Sequence, residues 1–262
     1  MLMRGTLAKF PLNIMKDVIL AVHDKEYTMY SGHVPRAWLD AGLKIVAFEY
    51  ETFPEKKVMI AEYAKFLGVD KIVIADDDLQ LLMRIQDDDW RMRNQTPDDV
   101  ANMFAYIDYL LDSYDHGALS PREGNNRKGE GARDQLNVNN TRAMRFHFFK
   151  TEAYLSCDHG VFKDVEDFDV TLQLLTRGLP NVVTYWYASG QAKTNYRGGC
   201  SLYRTNTLHD IEARRLQAKF PQYVSLRLKS NKADKEGFGT RTECTIQWKR
   251  AYEEKINARN PS

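Results

Sequence analysis

Cysteine, net charge and long apolar runs are all scarce in this sequence, and each scarcity excludes a class of protein. The three cysteines are widely spaced and odd in number, which argues against a disulfide framework or a zinc knuckle and predicts a reducing cytosol. No stretch approaches the roughly 20 apolar residues that span a bilayer, and the N-terminus has no signal-peptide core. The net charge of +1 excludes a globally basic nucleic-acid binder. We therefore expect a cytoplasmic protein with no membrane partner.

The first half of the chain alternates strand and helix signals. Apolar, β-branched runs predict strands at 17–22, 43–48 and 71–75, and a helix is predicted to begin at Pro54 and to end at Gly68. Strands that are separated by helices indicate a parallel sheet covered by helices. We therefore predict an α/β fold for the 262 residues.

The second half continues with helices and strands on either side of one long polar loop. Residues 120–140 are basic and glycine-rich, which is typical either of a functional lid or of a disordered segment. The other elements are predicted at 96–116 (a helix with a Thr96–Asp99 capping box), 142–150 (strand), 163–178 (helix), 181–187 (strand), 208–219 (a helix capped by Thr207 and Asp210) and 242–248 (strand).

Three consecutive aspartates, Asp76, Asp77 and Asp78, follow the run at 71–75, whose composition predicts a fully buried strand of a parallel sheet. Three carboxylates at such a strand end repel one another and lose hydration, so they need a cation, and oxygen ligands favour Mg²⁺ or Mn²⁺. Acidic residues after a strand also simply solvate a loop or cap a helix, and residue type alone leaves both interpretations open. A second triplet at 87–89 has no predicted buried strand before it, which favours a solvated loop there and function at the first triplet.

A second acidic site, Glu166 and Asp167, stands at the start of the predicted helix 163–178. A helix N-terminus favours carboxylates electrostatically, so this placement needs no catalytic explanation by itself. A tight glycine turn at 195–201 contains Gly198 and Gly199 and would allow the backbone to approach a ligand closely.

Together these motifs resemble the GT-A fold glycosyltransferases, in which a strand ends in Asp-x-Asp and a later Glu-Asp opens a helix, here about ninety residues further on. The resemblance implies a single-domain α/β fold over residues 1–262, of the GT-A (Rossmann-like) type, with a mostly parallel central sheet flanked by helices. It also implies a nucleotide-sugar half at about 15–120, an acceptor half at about 141–225 and a C-terminal extension at 226–262.

The resemblance also assigns roles to the acidic residues. It implies a divalent ion, Mn²⁺ or Mg²⁺, on Asp76 and Asp78, with His209 as a further ligand. It implies Asp167, with Glu166 beside it, as the general base of an inverting transfer to a hydroxyl acceptor. The donor contacts that it implies come from Asp76, Asp77, Arg197, Gly198, Gly199 and Arg204.

A closer similarity is to the phage and TET-associated glycosyltransferases, which glycosylate hydroxymethylated pyrimidines in DNA. It rests on segments 74–80 and 166–175 and on the glycine turn. It implies UDP-glucose as the donor, 5-hydroxymethylpyrimidine DNA as the acceptor, and the host cytoplasm as the location if a phage encodes the chain. Basic clusters at 122–133, 214–219 and 229–235 favour a DNA partner.

Three other functions stay open on the sequence. A Mg²⁺-dependent phosphoryl-transfer enzyme such as a nuclease also gathers carboxylates, but such sites often add a lysine, and none directly follows Asp78. A sugar-1-phosphate nucleotidyltransferase would carry a glycine-rich loop after the first strand, and residues 22–27 contain no glycine. A binding module that has lost its chemistry would have no need of two intact acidic sites. The chain also lacks the Gln-x-x-Arg-Trp signature of processive polysaccharide synthases.

Overall fold

The computed structural model describes residues 5–86, 89–121, 136–191, 205–230 and 240–259. Among these residues there is no helix with both the length and the apolar character needed to cross a membrane. In chain order the strands and α-helices are β1 (Ile19–His23), α1 (Tyr27–His33), α2 (Arg36–Asp40), β2 (Lys44–Phe48), α3 (Phe53–Phe66), β3 (Lys71–Ile74), β4 (Leu79–Gln86), β5 (Asp89–Asn94), α4 (Pro97–Ser113), β6 (His116–Pro121), β7 (Asn137–Asn139), β8 (His147–Lys150), α5 (Thr151–Leu155), α6 (Glu166–Thr176), β9 (Asn181–Gln191), α7 (Asn206–Lys219), β10 (Val224–Ser230), β11 (Thr240–Ile246) and α8 (Trp248–Arg259).

The central sheet is mixed, so the prediction of a mostly parallel sheet is wrong. Its strand order is β3-β8-β6-β9-β4-β5, and β7 pairs with β9. In the described part of this sheet only β6 and β9 run parallel, and the other pairings are antiparallel. The reason is the connections: β4 returns directly into β5, and β8 enters between β3 and β6 against the direction of both. Strands joined without a helical crossover pair antiparallel. The chain is a mixed α/β protein with helices flanking this sheet.

The predicted series of three parallel strands is confirmed only for the first two. Strands β1 and β2 do pair in parallel, as a separate two-stranded sheet. Strand β3 instead lies at the edge of the central sheet, where it pairs antiparallel with β8. Its side chains alternate, with Ile72 and Ile74 buried and Val73 only half-buried. The prediction of a fully buried parallel strand is therefore wrong. So short an apolar run does not distinguish a buried parallel strand from a half-buried strand at the edge of a sheet.

The contrast drawn between the two aspartate triplets needs a similar correction. Central strand β4, which contains the fully buried Arg84, leads directly to the second triplet. A strand therefore precedes both triplets, although Asp87 and Asp88 themselves lie outside the described residues. What distinguishes the first triplet is its surroundings, which include a lysine and a second acidic pair.

Helices α3 and α4 are the elements that the sequence specifies best. Both begin with a complete capping box, Thr52 with Glu55 and Thr96 with Asp99. Gly68 follows α3 with φ of 72°, which a residue with a side chain rarely adopts. The apolar residues of α4 pack into the main core with Leu119, Phe146 and Phe148.

The C-terminal region differs more from expectation. Helix α7 is capped by Thr205, whose hydroxyl accepts the Leu208 N–H at 3.0 Å, rather than by the predicted Thr207 and Asp210. The Asp210 carboxylate accepts the Thr242 N–H at 2.9 Å instead. Strand β10 and helix α8 were not predicted, although β10 alternates apolar and polar residues; α8 is rich in charge. Both pack with α6 and α7 around a second apolar cluster.

Candidate active site

The first aspartate triplet forms the turn between β3 and β4, and Thr6 holds its backbone. The Thr6 hydroxyl donates to the Asp76 carbonyl at 2.9 Å and accepts the Leu79 N–H at 2.7 Å, and the Thr6 N–H donates to the Asp77 carbonyl at 3.1 Å. Thr6 is only 4% exposed. These bonds satisfy the backbone of the turn without using its carboxylates. Sequence reasoning missed this contact, because a single threonine carries no pattern.

Negative charge accumulates at this turn. Asp76 and Asp78 are half-buried and Asp77 is exposed. Burial raises the pKa of Asp76; Lys57 opposes the rise, and Asp78, Glu166 and Asp77 add to it. A divalent cation would relieve this repulsion, and carboxylate oxygens are the ligands that Mg²⁺ and Mn²⁺ prefer.

Lys57, from the second turn of α3, joins the two acidic sites. Its ammonium forms an ion pair with Glu166, and the two side chains are only 13% and 17% exposed. Burial alone would lower the pKa of Lys57, but Glu166 and then Asp76 outweigh it and raise the pKa above its usual value. The absence of a lysine directly after Asp78 therefore did not exclude one from the site, because Lys57 arrives from another element.

The sequence predicted that Glu166 and Asp167 open a helix, and α6 confirms this. Asp167 Oδ1 accepts the Phe168 N–H at 2.9 Å, as carboxylates do at helix starts. Through Lys57, the structure brings Glu166 into electrostatic contact with Asp76. The two acidic motifs, far apart along the chain, thus belong to one site.

A small cavity lies beneath this site. Its polar lining comes from Lys57, His147, Tyr154, Glu166 and Asp167, and its apolar lining from Ile74, Phe149 and Val170.

The histidine and the tyrosine of this lining are both uncharged at neutral pH. Burial, and then the Lys57 charge, lower the pKa of His147 to about 3, so its ring is neutral. Burial raises the pKa of Tyr154. Among the described residues His147 Nε2 has no hydrogen-bond partner. These two buried rings therefore add no charge to the site, and their burial strengthens the charge interactions beside them.

An aromatic edge adjoins Lys57 at the carboxyl ends of β1 and β2. The rings of His23 and Tyr50 lie 4.9 Å apart. The Lys56 ammonium lies 5.6 Å from the Tyr50 ring centre and 5.4 Å from that of Phe53. Lys57 lies 5.9 Å from the same Phe53 ring. Flat rings and cations at the carboxyl ends of parallel strands are suited to a nucleotide base and its phosphates. Sequence reasoning missed this cluster.

His209 lies on α7, where its Nδ1 pairs with the Asp164 carboxylate. In the parts of the chain that the structure describes, no three histidine, cysteine or acidic side chains are grouped as a metal site. Such a cage is not required, since Mg²⁺ is commonly bound by one or two carboxylates together with substrate phosphates. Asp76 and Asp78 fit that arrangement, and the role predicted for His209 stays a prediction.

Four predicted donor contacts cannot be placed. Arg197, Gly198, Gly199 and Arg204 lie outside the described residues, as does the basic stretch 122–135.

A comparison with protein families supplies independent evidence. A family model described as TAGT, TET-Associated Glycosyltransferase, matches residues 4–199. The matched range contains Thr6, Lys57, the aspartate triplet and the Glu166–Asp167 pair, and it ends before α7. No curated protein matches the chain.

Proposed function

Because the chain belongs to the TET-associated glycosyltransferase family, we propose that it transfers glucose from UDP-glucose to the hydroxyl group of a 5-hydroxymethylpyrimidine in DNA. The observation that carries the proposal is the convergence of both acidic motifs on Lys57. A sugar transferase needs one group of charges for a diphosphate leaving group and a separate carboxylate for the acceptor. The two motifs supply these from different elements.

On the donor side, the base would stack on the aromatic edge of His23, Tyr50 and Phe53. Lys56 lies beside these rings, where it would attract the phosphates. A divalent ion, Mn²⁺ or Mg²⁺, held by Asp76 and Asp78 would supply positive charge to the diphosphate as it leaves. Asp77, which is exposed, is available to the ribose hydroxyls. We also assign binding of the diphosphate to Arg197, Arg204 and the glycine turn, as the family resemblance implies.

On the acceptor side, Asp167 would take the proton from the attacking hydroxyl as general base. Glu166 forms the ion pair with Lys57, so we assign it to the charge balance of the site and not to that proton. We therefore assign different roles to the two adjacent carboxylates. Direct attack on the anomeric carbon would invert its configuration.

We base the DNA acceptor on the family and on exposed positive charge on α7. Arg214 and Arg215 are exposed on α7. Lys229, by contrast, is paired with Glu243 at 3.0 Å, which leaves less charge for phosphate binding. We therefore expect α7 to face the DNA rather than the hairpin formed by β10 and β11.

The direct test incubates the protein and Mn²⁺ with a panel of nucleotide-sugars and hydroxymethylated DNA, and then weighs the digested nucleosides. A hexose-sized mass gain that depends on UDP-glucose supports the proposal. Sugar-independent strand cleavage would instead indicate a nuclease. Thermal stabilisation by UDP that requires Mn²⁺ tests the donor site separately, because it needs no acceptor.

A further inference from the structure

Glu212 of α7 holds the segment of chain that leads into the Glu166–Asp167 pair. Its carboxylate accepts three consecutive backbone N–H groups, from Lys163 at 2.9 Å, Asp164 at 2.7 Å and Val165 at 3.3 Å. Glu212 is only 1% exposed. A buried carboxylate that accepts three N–H groups is a strong and directional support.

The support itself is firmly anchored. One helical turn before Glu212, His209 pairs with the side chain of Asp164, so that α7 contacts the same segment twice. On the other side of α7, Asp210 accepts the Thr242 N–H of β11 at 2.9 Å. Ala213 and Leu216 are fully buried, and Leu216 packs against Leu172 of α6. The segment 163–165 is therefore fixed to α7, and α7 to the C-terminal hairpin.

We infer that Glu212 is a positioning residue for catalysis, which sets where the α6 N-terminus presents Asp167. The inference rests on the proposed role of Asp167 as general base. It goes further by making α7 and the hairpin, which lie beyond the family match, part of the working enzyme. The physical reason is that a base must lie within hydrogen-bond reach of its proton, and a displacement of about 1 Å can cost 100-fold in rate.

Glu212→Gln tests this with little change in size. The amide offers one acceptor oxygen, and its NH₂ group would face backbone donors. We expect kcat to fall by about 10- to 100-fold per folded molecule. The Kd for UDP with Mn²⁺ should stay unchanged, because Asp76, Asp78 and the aromatic edge lie on other elements. Glu212→Asp keeps the charge but shortens the side chain by one methylene. Its kcat should lie between those of the parent and of Glu212→Gln.

Lys219→Met is the matched control. Lys219 also joins α7 to α6, through an ion pair of 2.8 Å with the buried Asp169, but it does not contact segment 163–165. We expect it to lower Tm while kcat stays near that of the parent. If Glu212→Gln lowers kcat no more than Lys219→Met does, the inference is overturned. If Glu212→Gln does not fold, Glu212→Asp decides by the same comparison.

Asp167→Asn separates failure of this inference from failure of the proposed function. If Asp167→Asn keeps full activity, the assignment of the general base is wrong, and the positioning role falls with it. If Asp167→Asn abolishes transfer while Glu212→Gln retains parental kcat, only the positioning role is wrong.

Discussion

Replacement of Lys57 by methionine should destabilise the protein strongly, although it changes a single side chain. The Lys57–Glu166 pair is mostly buried, at 13% and 17% side-chain exposure. Methionine fills a similar volume but leaves the Glu166 carboxylate without its cation. Asp76 loses the same cation, which opposes the rise in its pKa that burial causes.

The magnitude follows from the cost of an uncompensated buried charge. Removing one partner of a buried ion pair typically costs about 3–5 kcal/mol of stability. Because this pair keeps some exposure to water, we expect the lower end, about 3 kcal/mol. For a chain of this size that corresponds to a Tm lower by about 6–12 °C. Lys65→Met, on the same helix, removes only the exposed Lys65–Glu152 pair, so we expect it to cost less than about 1 kcal/mol.

Urea denaturation of the single variants Lys57→Met, Lys65→Met and Glu166→Gln and of the double variant Lys57→Met/Glu166→Gln measures these costs. Because the double variant removes both charges, it should recover much of the lost stability, with a coupling of about 2 kcal/mol or more. The reasoning is refuted if Lys57→Met costs no more than Lys65→Met. It is also refuted if the effects of Lys57→Met and Glu166→Gln simply add.

Two further perturbations test the same site and the buried histidines. Thr6→Val leaves the buried Leu79 N–H without its acceptor, so we expect stability to fall by about 1–3 kcal/mol and Mn²⁺-dependent UDP binding in calorimetry to weaken. Thr176→Val, at the C-terminal end of α6, should leave UDP binding unchanged. Burial lowers the pKa of both His116 and His147 to about 3, so the unfolded chain binds more protons below pH 6.5, and stability should fall with falling pH by about 1.4 kcal/mol per unit for each histidine. Urea midpoints measured between pH 6.5 and 5 check this prediction. His116→Phe should reduce the slope of stability against pH, and an unchanged slope would contradict the prediction.

The sequence predicted the locally encoded parts of the fold well. Thr52 with Glu55 and Thr96 with Asp99 carry their capping signals within four residues, and both helices begin where expected. Strand pairing could not be predicted in the same way. Whether β3 pairs with β2 or β8 depends on contacts between distant segments, and its short apolar run fits either arrangement.

The acidic residues of the site were predicted, but the residues that hold them were not. Asp76, Asp78, Glu166 and Asp167 form recognisable motifs. Lys57, Thr6 and Glu212 are single residues in otherwise ordinary segments, and each acts on a partner more than forty positions away. Only the fold brings them together, so their roles follow from the geometry.

One measurement tests the central claim most directly. The protein is mixed with UDP-glucose, Mn²⁺ and an oligonucleotide that carries 5-hydroxymethylcytosine, and the digested nucleosides are weighed for the parent, Asp78→Asn and Asp167→Asn. We predict a hexose-sized gain with the parent, and a loss of rate of about 100-fold or more with Asp167→Asn. Asp78→Asn should also lose Mn²⁺-dependent UDP binding, which Asp167→Asn keeps. A full mass gain with both variants would contradict the account, as would no gain with the parent on any donor.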